Sequence, residues 1–398
     1  MSVAAGAATR TNGREIVSAV LVLVLLAAGC CGCLFMVFAA VMARAFARRA
    51  PLDGSVLPAV TVLKPLYGDE IGLFESLATF CRQDYPGPVQ LVCGVTNAND
   101  GAIPIVTRLK AVFPQHVIEL VVQPPGAGAN PKVANLVNMS PHIAHDIVVI
   151  ADSDIRVSSD YLRAVVGALV AQGSGAVTCP YYGVPSGGVW SRLSALNVDG
   201  YFLPGVMVAV RLKLSQPCFG STIALSIRSL REIGGFEALA DCLADDHALG
   251  KALVQRQEPV TVLPFAVGHV CSETSLDELW RHEKRWAATI RGVDPVGYLG
   301  WSITHAFALA LIALGLGGGW AAAALALAAL GCRYALVRAI ERAYGLPGHS
   351  YWLIPLRDLL SGAVFLAGLF ARDVRWRQQR YRLLSEGVLM PERRSPSP

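Results

Sequence analysis

From Ile16 to Ala43 the chain carries no Asp, Glu, Lys or Arg, and from Leu299 to Cys332 it again carries none. Such runs satisfy their backbone groups and hide their apolar side chains as helices in a bilayer, so they decide the architecture before any motif does. The first is long enough to cross with some tilt. It exceeds the apolar core of a cleaved signal peptide, and Arg44, Arg48 and Arg49 follow directly. That favours an uncleaved anchor with the next residues in the cytoplasm. As one helix the second run would measure about 50 Å against a hydrocarbon core of roughly 30 Å. Gly317-Gly318-Gly319 therefore predicts a helical hairpin. A weaker segment, Tyr351 to Ala371, is interrupted by Arg357 and Asp358. Four spans place the tail outside, whereas Arg372, Arg375, Arg377, Arg380 and Arg382 favour inside. Two topologies stay open, one of them with the last segment re-entrant or interfacial.

With 54% hydrophobic and 16% charged residues, the 398-residue chain is too apolar for an ordinary soluble enzyme. Its net charge of +5 is arginine-heavy near the membrane ends, which suits anionic headgroups rather than nucleic acid. Cys30, Cys31 and Cys33 lie inside the apolar run, where they are expected to pack as small apolar side chains.

Between the membrane blocks, strands alternate with helices. Val60–Leu63, Gln90–Val95, Ile118–Val122 and Ile147–Ala151 are short apolar runs of strand type, with helical patterns over Leu73–Cys81, Ile103–Phe113 and from about Lys132. This predicts an α/β, Rossmann-like doubly wound sheet. Val189–Val210 allows two readings, a buried helix or a face against the membrane or a lipid. The expected organisation is an anchor at 1–50, a cytoplasmic catalytic unit at 51–298, membrane helices at 299–371 and a basic tail at 372–398.

Asp152-Ser153-Asp154 follows the strand Ile147–Ala151 directly. Ligands gather at the carboxyl ends of such strands, and two carboxylates there suit a hard divalent cation, Mg²⁺ or Mn²⁺, carrying a nucleotide diphosphate. A capping or turn role is the plainer alternative. Asp245 and Asp246 open a helical pattern; they complement a helix dipole, or one of them, Asp246, serves as a general base. In His282-Glu283-Lys284-Arg285-Trp286, Arg285 can clamp a diphosphate and Trp286 can wall a sugar or acceptor. An interfacial Arg/Trp anchor explains the pair equally well. Lys64 and Lys132 are candidate phosphate or base contacts, with solvated surface lysine as the default.

In order along the chain, these motifs resemble the ceramide glucosyltransferase family, including bacterial members associated with hopanoid biosynthesis. The resemblance rests on Lys64-Pro65-Leu66, Asn97-Ala98-Asn99-Asp100, Asn130-Pro131-Lys132-Val133-Ala134-Asn135-Leu136, Asp152-Ser153-Asp154, Asp245-Asp246 and Arg285-Trp286. It implies a GT-A fold, a UDP-sugar donor, inversion at the anomeric carbon and a lipid hydroxyl acceptor. It also implies that the Asn97–Asp100 turn binds the nucleotide, either Asn97 or Asp100 reading the base, and that Lys64, Lys132, Asn135 and Asp245 line the donor site. Asp152 and Asp154 would hold the metal, Asp246 would be the base, and Arg285 and Trp286 would close the donor pocket. His282 stands where the family has Gln or Arg. The resemblance further implies a bacterial inner-membrane protein transferring N-acetylglucosamine or glucose to a hopanoid polyol or ceramide. A processive polysaccharide synthase and a non-catalytic transporter or lipid-binding protein are the alternatives. The few candidate spans and the clustering of acidic motifs outside them argue against both.

Overall fold

The structure, a computed structural model, describes the backbone of residues 2–47 and 57–371 and three short antiparallel strands at 373–376, 379–383 and 389–391. Side chains are described over 15–47 and 57–371; Arg48, Arg49, most of the linker after Pro51 and the tail arginines lie outside these residues.

The first apolar run lies within one helix, α1 (Ser2–Ala47). Then β1 (Val60–Pro65), α2 (Leu73–Cys81), β2 (Val89–Val95), α3 (Ala102–Val112), β3 (Val117–Val122), α4 (Pro131–Met139) and β4 (Ile147–Ile150) alternate as the apolar periodicity predicts. These four strands are parallel in the order β3-β2-β1-β4. β1 is buried along its whole length, as expected of a parallel strand covered on both faces. Val62, Leu77, Leu91 and Tyr161 fill one face, and Leu63, Val92, Leu136 and Val148 the other.

Beyond β4 the winding departs from a purely parallel sheet. After β5 (Ile155–Arg156), α5 (Tyr161–Gln172), β6 (Ala176–Thr178), β7 (Tyr181–Pro185), α6 (Gly188–Asn197) and α7 (Leu203–Arg211), the chain reaches β8 (Ile223–Ser226). It arrives beside Asp152, at the end where β4 finishes, and so runs antiparallel between β4 and β6. α8 (Ile227–Glu232), α9 (Asp245–Gln255) and β9 (Val260–Val262) complete the large sheet, while β10 (Val267–Cys271) joins β5 and β7 in a second one.

α6 and α7 form one apolar helical stretch joined by a π-helical turn at Val198–Phe202. Of this stretch's apolar core 78% is buried within the protein, against 17% for α1, so most of it packs on protein, and one side lines a cavity. After α10 (Leu276–Val293) come α11 (Pro295–Gly300), α12 (Ala306–Gly315), α13 (Gly319–Tyr344) and α14 (Ile354–Phe370). The expected hairpin is α12–α13, turned at residues 316–318, where Gly317 adopts φ 93°. Residues 295–304 and α12 meet at 66°, a broken span or a re-entrant loop.

The charges that interrupt the last segment point inward and are paired. Arg357 grips Glu283 of α10 with both terminal nitrogens, at 2.6 and 2.8 Å. Asp358 accepts from Arg333 Nε at 3.1 Å and from the Tyr201 hydroxyl at 2.7 Å. At the far end of α14, Arg291 of α10 holds the carbonyls of Leu369 and Ala371. The chain thus leaves α14 beside α10. Both carboxylates need these cations, because an unpaired buried charge is far costlier than a buried pair. We expect Arg357→Ala to cost about 3–5 kcal/mol, read as a lowered unfolding midpoint of the protein in nanodiscs. The double change Arg357→Met with Glu283→Leu should recover most of that loss; equal losses for single and double variants would refute the pairing.

Candidate active site

Asn130 caps α4: its side-chain oxygen accepts from the Lys132 and Val133 N–H groups, at 2.9 and 3.1 Å. This fixes Lys132 in the first helical turn, where the dipole disfavours a cation. Two carboxylates compensate. Lys132 Nζ lies 2.7 Å from Asp152 Oδ1, just past β4, and 3.1 Å from Asp245 Oδ2, at the start of α9. Burial works against the Lys132 charge, but Asp152, Asp245 and Asp246 outweigh it and hold its pKa above the ordinary lysine value. Gly220 closes the group. Its carbonyl accepts from the Asp152 N–H and its N–H donates to Asp246 Oδ2, at 3.2 and 2.8 Å. A Cβ at Gly220 would come within 2.8 Å of Asp152 Oδ2 and 3.0 Å of Lys132 Nζ, so any side chain there would push these two groups from their places.

Asp246 also accepts from the His247 N–H at 2.8 Å. Burial and the adjacent Asp245 lift its pKa to about 6, although Lys132 and the two N–H groups pull the other way. This value suits a base that works near neutral pH. Lys64, fully buried at the end of β1, donates to the Asp152 carbonyl; burial lowers its pKa to about 8 against the pull of Asp154 and Asp152.

His269, in the middle of β10, faces Asp154 Oδ2 at 3.3 Å. Burial alone would raise Asp154, yet His269 and Lys64 hold it below the ordinary carboxylate range. Its other oxygen, Oδ1, is buried without a hydrogen-bond partner. That free oxygen beside Asp152 fits a hard cation which completes its shell from substrate phosphates. Among the described residues no group of three or more His, Cys, Asp or Glu would hold a metal unaided. Glu70 adds a further carboxylate: desolvation in the cleft and the charges of Asp154 and Asp152 lift its pKa to about 7.

α10 supplies the third side. Burial lowers the Arg285 pKa, while the charges of Asp152 and Asp154 oppose the shift, which places its guanidinium within their field. Trp286 stacks edge-on with His282 at 4.5 Å and lies 6.4 Å from Tyr181, itself stacked on Phe202 at 4.1 Å. His282 bonds Glu273 at 2.6 Å. α10 thus carries residues of the site and, through Glu283, the link to α14.

The structure therefore brings together Lys64, Lys132, Asp152, Asp154, Asp245, Asp246, His282, Arg285 and Trp286. Three further expected donor-site residues make hydrogen bonds within the framework. Asn135 is buried and its amide spans the carbonyls of Gly94 and Leu66, tying the ends of β1 and β2. Asp100 Oδ1 accepts from the Gly68 and Ala102 N–H groups, at 2.8 and 2.9 Å. Asn97 is exposed and shapes its own turn through the Asn99 N–H. Gly220, His269, Glu70 and Tyr181 were not expected from the sequence. Of these, His269 carried a faint signal, a titratable residue centred in the apolar stretch Val267–Cys271.

The sequence model of the family described as Glycosyl transferase family 21 matches residues 21–389. Ceramide glucosyltransferase 3 of Caenorhabditis elegans is 21% identical over 358 residues, covering 85% of this chain and 76% of that protein. Ceramide glucosyltransferase of Candida albicans is 30% identical over 122 residues, covering 28% of this chain and 22% of that protein. Among solved structures, the mannosyltransferase PcManGT from Pyrobaculum calidifontis, in complex with GDP-Man and Mn²⁺, superposes with a TM-score of 0.52 at 20% identity. That likeness covers 88% of this chain and 97% of the other, and it identifies the fold as GT-A. With the family match running from the first apolar helix to the tail, the chain belongs to glycosyl transferase family 21.

Proposed function

We propose that this glycosyltransferase moves a hexose, N-acetylglucosamine or glucose, from a UDP-sugar to the hydroxyl of a membrane lipid, with inversion. The observation that carries this reading is the position of Asp246. Its carboxylate, with pKa near 6, accepts from the Gly220 N–H, whose carbonyl accepts from the Asp152 N–H, and lies within the field of Lys132, which supports a base set beside the diphosphate site. Asp246 takes the proton of the acceptor hydroxyl as that oxygen bonds to the anomeric carbon. The bond from this carbon to the diphosphate oxygen breaks on the opposite face, and the electron pair leaves with UDP. Arg285 and Lys132 present positive charge to the departing diphosphate. Asp152 and Asp154 would hold a divalent cation, Mg²⁺ or Mn²⁺, which when bound stabilises charge on the phosphate oxygens. The turn at Asn97–Asp100 is the proposed nucleoside site, with Asp100 fixing its shape and Asn97 exposed on it. The acceptor is a hopanoid polyol or ceramide, and the likeness to ceramide glucosyltransferases supports a lipid of this kind. The proposed setting is a bacterial inner membrane with the catalytic unit on the cytoplasmic side.

The reading is tested by incubating the protein in nanodiscs with UDP-glucose or UDP-N-acetylglucosamine, Mg²⁺, and ceramide or a hopanoid polyol. Mass spectrometry should find a single-sugar gain on one lipid, lost with a chelator and restored by Mg²⁺ or Mn²⁺. Transfer that persists under chelation would remove the metal from the reading, and polymeric products would replace it with a synthase.

Asp246→Asn should lower kcat by about 10²–10⁴, the usual worth of a positioned base, while the stabilisation produced by UDP stays as in the parent. A base must be ionised, so kcat/KM of the parent should fall as pH drops through about 6 and level off above it. A parental rate that is flat from pH 5 to 8, or near-parental turnover by the Asp246→Asn variant, would exclude Asp246 as the base.

A further inference from the structure

Gly205 lies inside α7, one residue after Pro204, where glycine weakens a helix relative to alanine. No contact requires it: a Cβ built there meets no atom within 4 Å. Gly300, ending α11, likewise opens on empty space. Other glycines nearby have visible reasons. A Cβ at Gly29 or Gly32 of α1 would come within 2.7 Å of Leu325 or 2.1 Å of the Ile303 carbonyl, which marks close helix packing. At Gly297 it would strike Asp294, the cap of α11.

Gly205 and Gly300 open on one cavity of about 430 Å³ between the membrane helices and the active site. Its wall includes Phe35 of α1, Ile303 and Val364 on the membrane side, and Trp286 and Phe219 on the other. Phe219 precedes Gly220, whose N–H holds Asp246, so the cavity ends one residue from the backbone group that positions the base. Leu214 and Ile290 also line it and are 72% and 42% exposed, which gives the opening an apolar rim.

We propose that this cavity holds the apolar segment of the acceptor next to its hydroxyl, and that Gly205 and Gly300 lack side chains to leave room for it. The inference rests on the lipid-acceptor reading above and adds the place where the lipid binds. A cavity at the small end of ligand pockets takes that segment alone, leaving the remainder of the lipid in the bilayer. The first span is on this view a wall of the acceptor site as well as an anchor, through Phe35.

The test compares the parent, Gly205→Ala and Gly205→Leu, each full-length in nanodiscs, with UDP-sugar and the lipids named above. Gly205→Ala should unfold at a higher temperature than the parent. Gly205→Leu should lower kcat/KM for the lipid by about tenfold or more, as expected when a filled apolar pocket excludes part of its ligand. UDP should stabilise both variants as it does the parent. If Gly205→Leu glycosylates lipid at the parental rate, the cavity is not the acceptor site although the lipid reading stands. If Gly205→Leu instead loses stability and its response to UDP together, the glycine is structural and the proposal fails. If the parent releases UDP but glycosylates no lipid, the lipid reading fails and takes this inference with it.

Discussion

One ammonium group organises the catalytic side of this molecule. Lys132 stands at the N-terminus of a helix, where neither the dipole nor burial favours its charge, and it remains charged because Asp152 and Asp245 flank it. Those carboxylates come from different parts of the sheet: Asp152 ends β4, in the parallel half, and Asp245 opens α9, which packs under the antiparallel half. Drawing them onto one cation fixes the distance between the acidic turn and the proposed base. The Gly220 backbone is the remaining bridge between Asp152 and Asp246, and a side chain there would crowd Asp152 and Lys132.

The membrane side is organised by the same rule applied to carboxylates. Glu283 lies on α10 between His282 and Arg285, and its burial is tolerable because Arg357 reaches it from α14. A second pair, Arg333 with Asp358, ties α13 to α14 and, through Tyr201, to the π-helical turn. Arg333 also lies over the Tyr201 ring at 3.7 Å, a cation–π contact shielded from water. Of the two charges that weaken the last apolar segment as a simple span, Arg357 thus fastens it to α10 and Asp358 fastens it to α13.

Much of the first half of the fold was legible in the sequence, because each strand there is an apolar run long enough to show its type. The helix Leu73–Cys81 falls where its periodicity places it, and the strands differ at their ends by a residue or two. Past Cys179 the strands, β8 with four residues and β9 with three among them, are no longer set off by alternating helical patterns as β1 to β4 are. The antiparallel insertion of β8 depends on where the preceding chain arrives, and no local pattern encodes that. Most acidic and basic site residues were found because their chemistry is conspicuous beside a strand end. Gly220 was missed because its contribution is made by backbone atoms, and the framework hydrogen bonds of Asn135 and Asp100 have no mark in a single sequence. The Glu283–Arg357 pair, 74 residues apart, has no local signature at all.

The proposed chemistry asks two immiscible reactants to meet, and the arrangement of α10 suggests how. Its buried face carries Arg285 toward the acidic turn and Trp286 toward the apolar cavity, one residue apart on a single rigid helix. A polar donor held at the strand ends and an apolar acceptor entering past the membrane helices would then converge on Asp246. The desolvation that raises the pKa of Asp246 would, on the same reading, also shield a reactive sugar from hydrolysis. On the proposed reading, the buried ion pair that anchors α10 to α14 would make this convergence depend on the packing of the candidate spans, which would then position the reaction as well as hold the enzyme in the bilayer.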